Sequence, residues 1–305
     1  MGTDPSRLIL GNGASELIDM ITRISPAGSF KTAGYTVGKE DVQYREYLRA
    51  SVADGRTQVS ADQKDAAAIT AIINPSNPTG DWMRLGDLKK FIESSCRDKS
   101  TVMVDESMLM WYGENWKEES LLSEAKWAEE LEARRGIRVF LIHSWTKIWS
   151  CPGLRIGSVV APSANAYADL KHVQVPWSVN SAALRFIELV VKDDAYLAKT
   201  WANTRTWRAH MVDSVATAFP SWTCHGQDWL SWVWIDTGSE AVAAAAVEAG
   251  RAAGFPIRWG KPGYNCPAHI RFGIREPKFQ SALIAALVAA LGNGEEGQVK
   301  KRQKK

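Results

Sequence analysis

The stretch Ser144–Gly157 reads SWTKIWSCPGLRIG and follows Val139–Ser144, a short run dominated by apolar residues. Such a run is what a strand buried on both faces of a parallel sheet looks like. Lys147 stands just beyond it. A desolvated lysine has a lowered pKa and can form a Schiff base with a carbonyl. A single strand-end lysine is otherwise an ordinary surface residue. Arg155 lies eight residues beyond Lys147, after a Pro-Gly turn. A guanidinium returning there can neutralise a phosphate by bidentate contact.

Outward from this stretch, short apolar runs alternate with amphipathic ones. Strands are expected at Arg7–Leu10, Ala68–Ile73, Thr101–Val104, Val139–Ser144 and Ile156–Val160. Helices are expected near Ala14–Ile24, Leu85–Cys96, Ser123–Arg134 and Ala164–His172. That alternation predicts an α/β fold, with a doubly wound, mostly parallel sheet and helices on both faces. Ser25–Lys39 is rich in Gly, Ser and Thr without a period and reads as loop. After Pro176 the pattern changes. Long helices are expected at Ser178–Val191 and Asp194–Ala218, then strand Trp232–Ile235, helix Ser239–Ala253, strand His269–Ile274 and helix Lys278–Leu291. These describe a smaller C-terminal α/β domain. The expected division is a large domain over 1–200, a small one over 201–293 and a basic, disordered tail over 294–305.

Three further strand ends carry chemistry. Ala68–Ile73 runs into NPSNPTG, Asn74–Gly80, where two prolines forbid continuation of strand or helix. A rigid polar loop at the carboxyl end of a parallel strand is where doubly wound folds bind ligands, although an Asn/Pro turn is also simply a turn. Thr101–Val104 ends in Asp105-Glu106. A carboxylate there is expensive unless it meets a partner such as a cationic ring nitrogen, or caps a helix. Arg7–Leu10 enters GNGASE, Gly11–Glu16, and then a helix whose N-terminal N–H groups suit a phosphate.

Composition narrows the classes. The chain has 305 residues, 45% hydrophobic and 23% charged, which suits a folded globular protein. No apolar run is long enough to span a membrane. The net charge of +3 is accounted for by the last twelve residues, so the body is neutral and no nucleic-acid-binding face is indicated. The four cysteines are far apart and form no CxxC, so neither a metal site nor a disulfide framework is expected. With no secretory signal visible, the expected location is cytoplasmic.

Taken in order, GNGASE, NPSNPTG, DES and SWTKIWSCPGLRIG resemble the motifs of the fold type I pyridoxal-phosphate (PLP) enzymes, the class I/II aminotransferase superfamily. SWTKIWSCPGLRIG and VPWSVNSAAL, Val175–Leu184, look most like the branch of histidinol-phosphate aminotransferase and threonine-phosphate decarboxylase. The resemblance implies pyridoxal 5'-phosphate as cofactor, an amino-acid substrate and a homodimer, with no nucleic-acid or membrane partner. It makes Lys147 the Schiff-base and acid/base lysine, and Asp105 the partner of the pyridine nitrogen. Asn77 becomes the partner of the phenolic oxygen. Gly13, Ala14, Ser15, Ser144 and Arg155 form the phosphate cradle, and Tyr44 stacks on the ring. Arg271 becomes the arginine that binds the substrate carboxylate, and Arg258 a second anion-binding arginine. Asn180 reads as a helix cap and His143 as a strand residue.

The chain departs from this pattern in two places. Only ten residues precede the GNG turn, whereas the branch usually has a longer segment that covers the substrate. Met108 stands where many aminotransferases carry a tyrosine beside the phenolic oxygen. The expected activity is PLP-dependent aminotransfer on an amino acid, with phosphorylated amino acids among the candidate substrates. The alternatives are a threonine-phosphate-type decarboxylation, or a truncated, impaired relative acting as a binding protein.

Overall fold

The computed structural model describes residues 4–32, 42–63 and 66–292. The chain divides into two compact units. One holds the residues up to Asn77 and Asp81–Ala198; the other holds Pro78–Gly80 and the residues from Lys199 on.

In the first unit the elements are β1 (Leu8–Asn12), α1 (Ala14–Ile24), β2 (Ser29–Thr32), α2 (Glu46–Ala53), β3 (Ala67–Ile73), α3 (Leu85–Ser95) and β4 (Thr101–Asp105). They continue as α4 (Ala125–Arg135), β5 (Arg138–Ser144), β6 (Ile156–Val160), α5 (Ala164–Val173) and α6 (Ser181–Val190). The six strands form one sheet in the order β1-β6-β5-β4-β3-β2. β2, β3, β4 and β5 run parallel, while β6 is antiparallel to β5 and β1 antiparallel to β6. The sheet is therefore mostly parallel, as expected from the alternating pattern.

Burial follows the sequence. Every residue of β3 and β4 is buried, which is why both read as mostly apolar runs. On one face, α1 inserts Leu17, Ile18 and Ile21 against Phe140 and Ile142 of β5. Each such fully buried aliphatic side chain contributes about 1.5–3 kcal/mol relative to exposure. Side chains close the helix starts: Ser163 Oγ accepts from Ala166 N at 3.2 Å, and Asn180 Oδ1 from Ala183 N at 2.8 Å. Asn180 is thus the cap of α6. On that helix Leu184 and Leu189 are exposed, and the preceding Trp177 is 97% exposed.

The reading of Ser25–Lys39 as loop is corrected. Ser29–Thr32 is β2, paired parallel with β3. Its four residues, SFKT, include one aromatic and a buried lysine, too short and too polar to show a strand period. Residues 33–39 of that stretch lie outside the described residues.

The second unit takes over within α7 (Asp194–Ala218). It continues with β7 (Thr223–His225), β8 (Trp232–Asp236), α8 (Glu240–Ala252), β9 (Arg258–Trp259), the short turn α9 (Lys261–Tyr264), β10 (His269–Gly273) and α10 (Pro277–Leu291). Its sheet has the order β7-β8-β10-β9 and is antiparallel throughout. Val233, Ile235, Ile270 and Phe272 pack with Val215 and Leu287 as its core. The two- and three-residue strands β9 and β7 were not legible as strands. No helix among the described residues is long and apolar enough to cross a membrane.

One glycine fixes how closely sheet and helix meet. Gly157 of β6 lies opposite Gly11 of β1 and Ser144 of β5. A Cβ there would come within 2.8 Å of Ala14 N, 2.9 Å of Gly13 C and 3.0 Å of His143 O, all backbone atoms. Gly157→Ala is expected to destabilise the protein by about 1–3 kcal/mol through this overpacking, read as a lower urea midpoint.

Candidate active site

The carboxyl ends of β3, β4 and β5 meet the N-terminus of α1 at one cleft. Its lining includes Ala14, Ser15, Tyr44, Asn77 and Asp105. Ser144, Lys147 and Arg155 complete the set that the motifs single out. Eight residues from five separate stretches of sequence thus converge. Gly13, the ninth of the first-unit candidates, is the N-cap of α1 at φ 77°.

The anion end is built on backbone. A Cβ on Gly13 would stand 2.2 Å from Arg155 Nη2, so the guanidinium occupies the space that any larger residue would fill. Arg155 itself is in the left-handed region at φ 56°. A non-glycine residue held there signals a position over-determined by its surroundings. Its Nη1 donates to Pro152 O at 3.2 Å, and no carboxylate pairs with it among the described residues. Most of its five N–H groups therefore remain for a ligand. Ser144 Oγ lies 3.0 Å from Thr146 Oγ1, and Ser144 N donates to Ser107 Oγ at 2.8 Å.

At the opposite end Asp105 is buried. Its Oδ1 accepts from Ser107 N at 2.8 Å and its Oδ2 from the Tyr47 hydroxyl at 2.9 Å. No lysine, arginine or histidine forms an ion pair with it among the described residues. It closes β4 and caps no helix. Its neighbour Glu106 has a different task. Fully buried, it accepts from Ser120 Oγ and, at 3.0 Å, from Leu121 N, which ties down the segment after β4. His143 lies 3.6 Å from Glu106 and stacks on Trp145 at 4.9 Å, buried in the strand as expected. A similar division separates the two asparagines of NPSNPTG. Asn74 exchanges two hydrogen bonds with the backbone of Met83, at 2.9 and 2.8 Å, and shapes the loop. Asn77 faces the cleft.

Tyr44 is half-buried. Its phenol is pushed up, first by burial and then by the Asp105 carboxylate, while a hydrogen bond from Ser15 and the charge of Arg155 oppose the shift. Lys147 requires a correction. The strand before it is buried, but Lys147 lies in the turn beyond, and its side chain is exposed. The expectation of a lysine desolvated by the fold alone does not hold, because the turn after β5 leaves Lys147 exposed. The amine has no hydrogen-bond or ion-pair partner among the described residues.

Arg258 and Arg271 belong to the second unit, where they face each other in register across β9 and β10. The Arg258 guanidinium lies 5.3 Å over the Tyr264 ring and donates to Pro262 O at 3.1 Å. Burial pushes the Arg271 guanidinium below its ordinary value; Tyr264 opposes that shift and the like charge of Arg258 adds to it. Two arginines opposite each other in register suit an anion with more than one charge.

Residues 1–274 match the family described as aminotransferase class I and II. The chain belongs to that family. The aminotransferase class I and II family is PLP-dependent. Among curated relatives, the histidinol-phosphate aminotransferase 1 of Thiobacillus denitrificans is 26% identical over 222 residues, covering 66% of this chain and 52% of that protein. The chain thus spans about half the length of that relative. Two solved structures share the fold. The histidinol-phosphate aminotransferase from Clostridium acetobutylicum has a TM-score of 0.75 at 19% identity, covering 93% of this chain and 83% of that one. The L-threonine-O-3-phosphate decarboxylase from Porphyromonas gingivalis has a TM-score of 0.74 at 16% identity, covering 94% and 84%.

Sequence reasoning missed Ser107 and Tyr47. Tyr47 lies in the first turn of α2 and Tyr44 just before it, so nothing in their spacing alone singled out Tyr47. Gly13→Ala is expected to displace the Arg155 guanidinium and weaken binding of pyridoxal phosphate by at least about tenfold, the loss of one charge-assisted contact. Pyridoxal without its phosphate should bind the variant and the original protein alike. Equilibrium dialysis against both compounds checks it.

Proposed function

We propose that this chain is a PLP-dependent aminotransferase-like enzyme acting on a phosphorylated amine or amino acid. The observation that carries the reading is Asp105: a buried carboxylate without a cationic partner among the described residues, in one cleft with Lys147, Asn77 and Arg155. A protonated ring nitrogen is the missing cation.

The donor set fits the cofactor from end to end. Arg155, Ser15, Ser144 and the free N–H groups at the start of α1 would hold its phosphate. Asn77 would donate to its phenolic oxygen, Asp105 would keep a proton on its ring nitrogen, and Tyr44 would cover one ring face. Bound there, the group supplies an electrophilic carbonyl for amines and a ring that takes up the electron pair released at the substrate's α-carbon. Lys147, whose amine has no partner among the described residues, would be the residue that holds the group through that carbonyl. The same amine would carry a proton to or from the substrate's α-carbon as general acid and base. Arg258 and Arg271 would bind the anionic groups of the substrate, by the bidentate geometry that suits carboxylate and phosphate.

Decarboxylation is the second reading. Met108, not a hydroxyl-bearing residue, lines the cleft beside Asn77 and leaves the phenolic oxygen to the asparagine. The products separate the two. PLP-loaded protein would be offered histidinol phosphate with an oxo-acid acceptor and, in a separate reaction, O-phosphothreonine. Amino transfer supports the first reading, and carbon dioxide release the second. Arg258→Met is expected to raise KM for the phosphorylated substrate by about 10–100-fold while leaving PLP content unchanged. No turnover of any amine or amino acid by the loaded protein would contradict the proposal.

A further inference from the structure

Tyr47 is fully buried, and its hydroxyl donates to Asp105 Oδ2 at 2.9 Å. The same ring meets Tyr44 edge to face, with centroids 6.3 Å apart and planes at 78°. Tyr47 therefore touches the acid at the far end of the cleft and the aromatic on its wall. Both contacts follow from α2, whose first turn carries Tyr47 three residues after Tyr44. If Tyr47 only filled space, a phenylalanine would serve. A buried hydroxyl requires a partner, and this one has the carboxylate.

We propose that Tyr47 is a positioning residue for the cofactor ring, setting the orientation of the Asp105 carboxylate through its hydroxyl. The inference rests on the PLP reading above. Asp105 receives one donor on each oxygen, Ser107 N and Tyr47 Oη, and each oxygen keeps a further lone pair. The two donors fix the plane of the carboxylate. Tyr47 remains a donor under all ordinary conditions. Its phenol is pushed well up by burial first and by the Asp105 charge second, so it does not ionise beside the carboxylate.

The test loads the protein with pyridoxal phosphate labelled with 15N at the ring nitrogen. Original protein, Tyr47→Phe and a protein carrying 3-fluorotyrosine at position 47 are compared. The original protein is expected to show the shift of a protonated ring nitrogen. In Tyr47→Phe the resonance should move toward the unprotonated value, because the carboxylate is no longer held facing the ring nitrogen, and pyridoxal phosphate should dissociate about tenfold more readily. The fluorinated residue disturbs packing but keeps the hydroxyl, so its resonance should stay at the protonated value. An unchanged 15N shift and unchanged affinity in Tyr47→Phe, with the original protein fully loaded, would overturn the inference and leave the PLP reading standing. An original protein that retains no pyridoxal phosphate would overturn the reading beneath it, and the inference with it.

Discussion

The burial of the Asp105 carboxylate is the constraint around which the first unit is arranged. β4 is buried along its whole length, and its last residue is an acid. A carboxylate removed from water is costly unless hydrogen bonds and a positive charge compensate. The described residues supply two hydrogen bonds, from Tyr47 and Ser107, and no charge. The register of the parallel strands places Ile73, Asp105 and Ile142 side by side. The loops that follow these strands therefore open onto the same edge of the sheet. That edge is where open α/β sheets receive ligands, and it is where Asn77, Asp105 and Ser144 emerge.

The anion end is governed by close approach. Gly157 and Gly13 let β6, the start of α1 and the Arg155 guanidinium occupy space that a single methyl group would fill. The helix terminus contributes N–H donors and a positive dipole end, and Arg155 contributes a full charge. A cofactor with a phosphate at one end and a basic nitrogen at the other matches this polarity. In the second unit Arg258 and Arg271 stand opposite each other across β9 and β10, and the proposal of a phosphorylated substrate rests on that pair.

Much of this was legible from residues alone. The buried strands of the first sheet read as apolar runs because both of their faces are covered. The residues at their ends stood out because polar groups following such runs demand an explanation. Other features left no local signal. β2 is a short strand whose buried lysine breaks the apolar pattern, and β9 is too short to show any period. The different tasks of Asp105 and Glu106, or of Asn77 and Asn74, cannot be told from dipeptides; they depend on which side chain the backbone turns toward the cleft. The open surroundings of Lys147 were likewise invisible, since the buried strand before it says nothing of the turn in which it sits. Tyr47 was hidden because a buried tyrosine on a helix reads as core until its hydroxyl partner is seen.

The measurement that bears most directly on the account is reduction with borohydride of the protein incubated with PLP, followed by peptide mapping, beside Lys147→Ala. The expected result is one pyridoxyl group per chain, on the peptide containing Lys147, with a visible absorption band lost on reduction and absent from the variant. Label scattered over surface lysines, or equal labelling of the original protein and Lys147→Ala, would contradict the account.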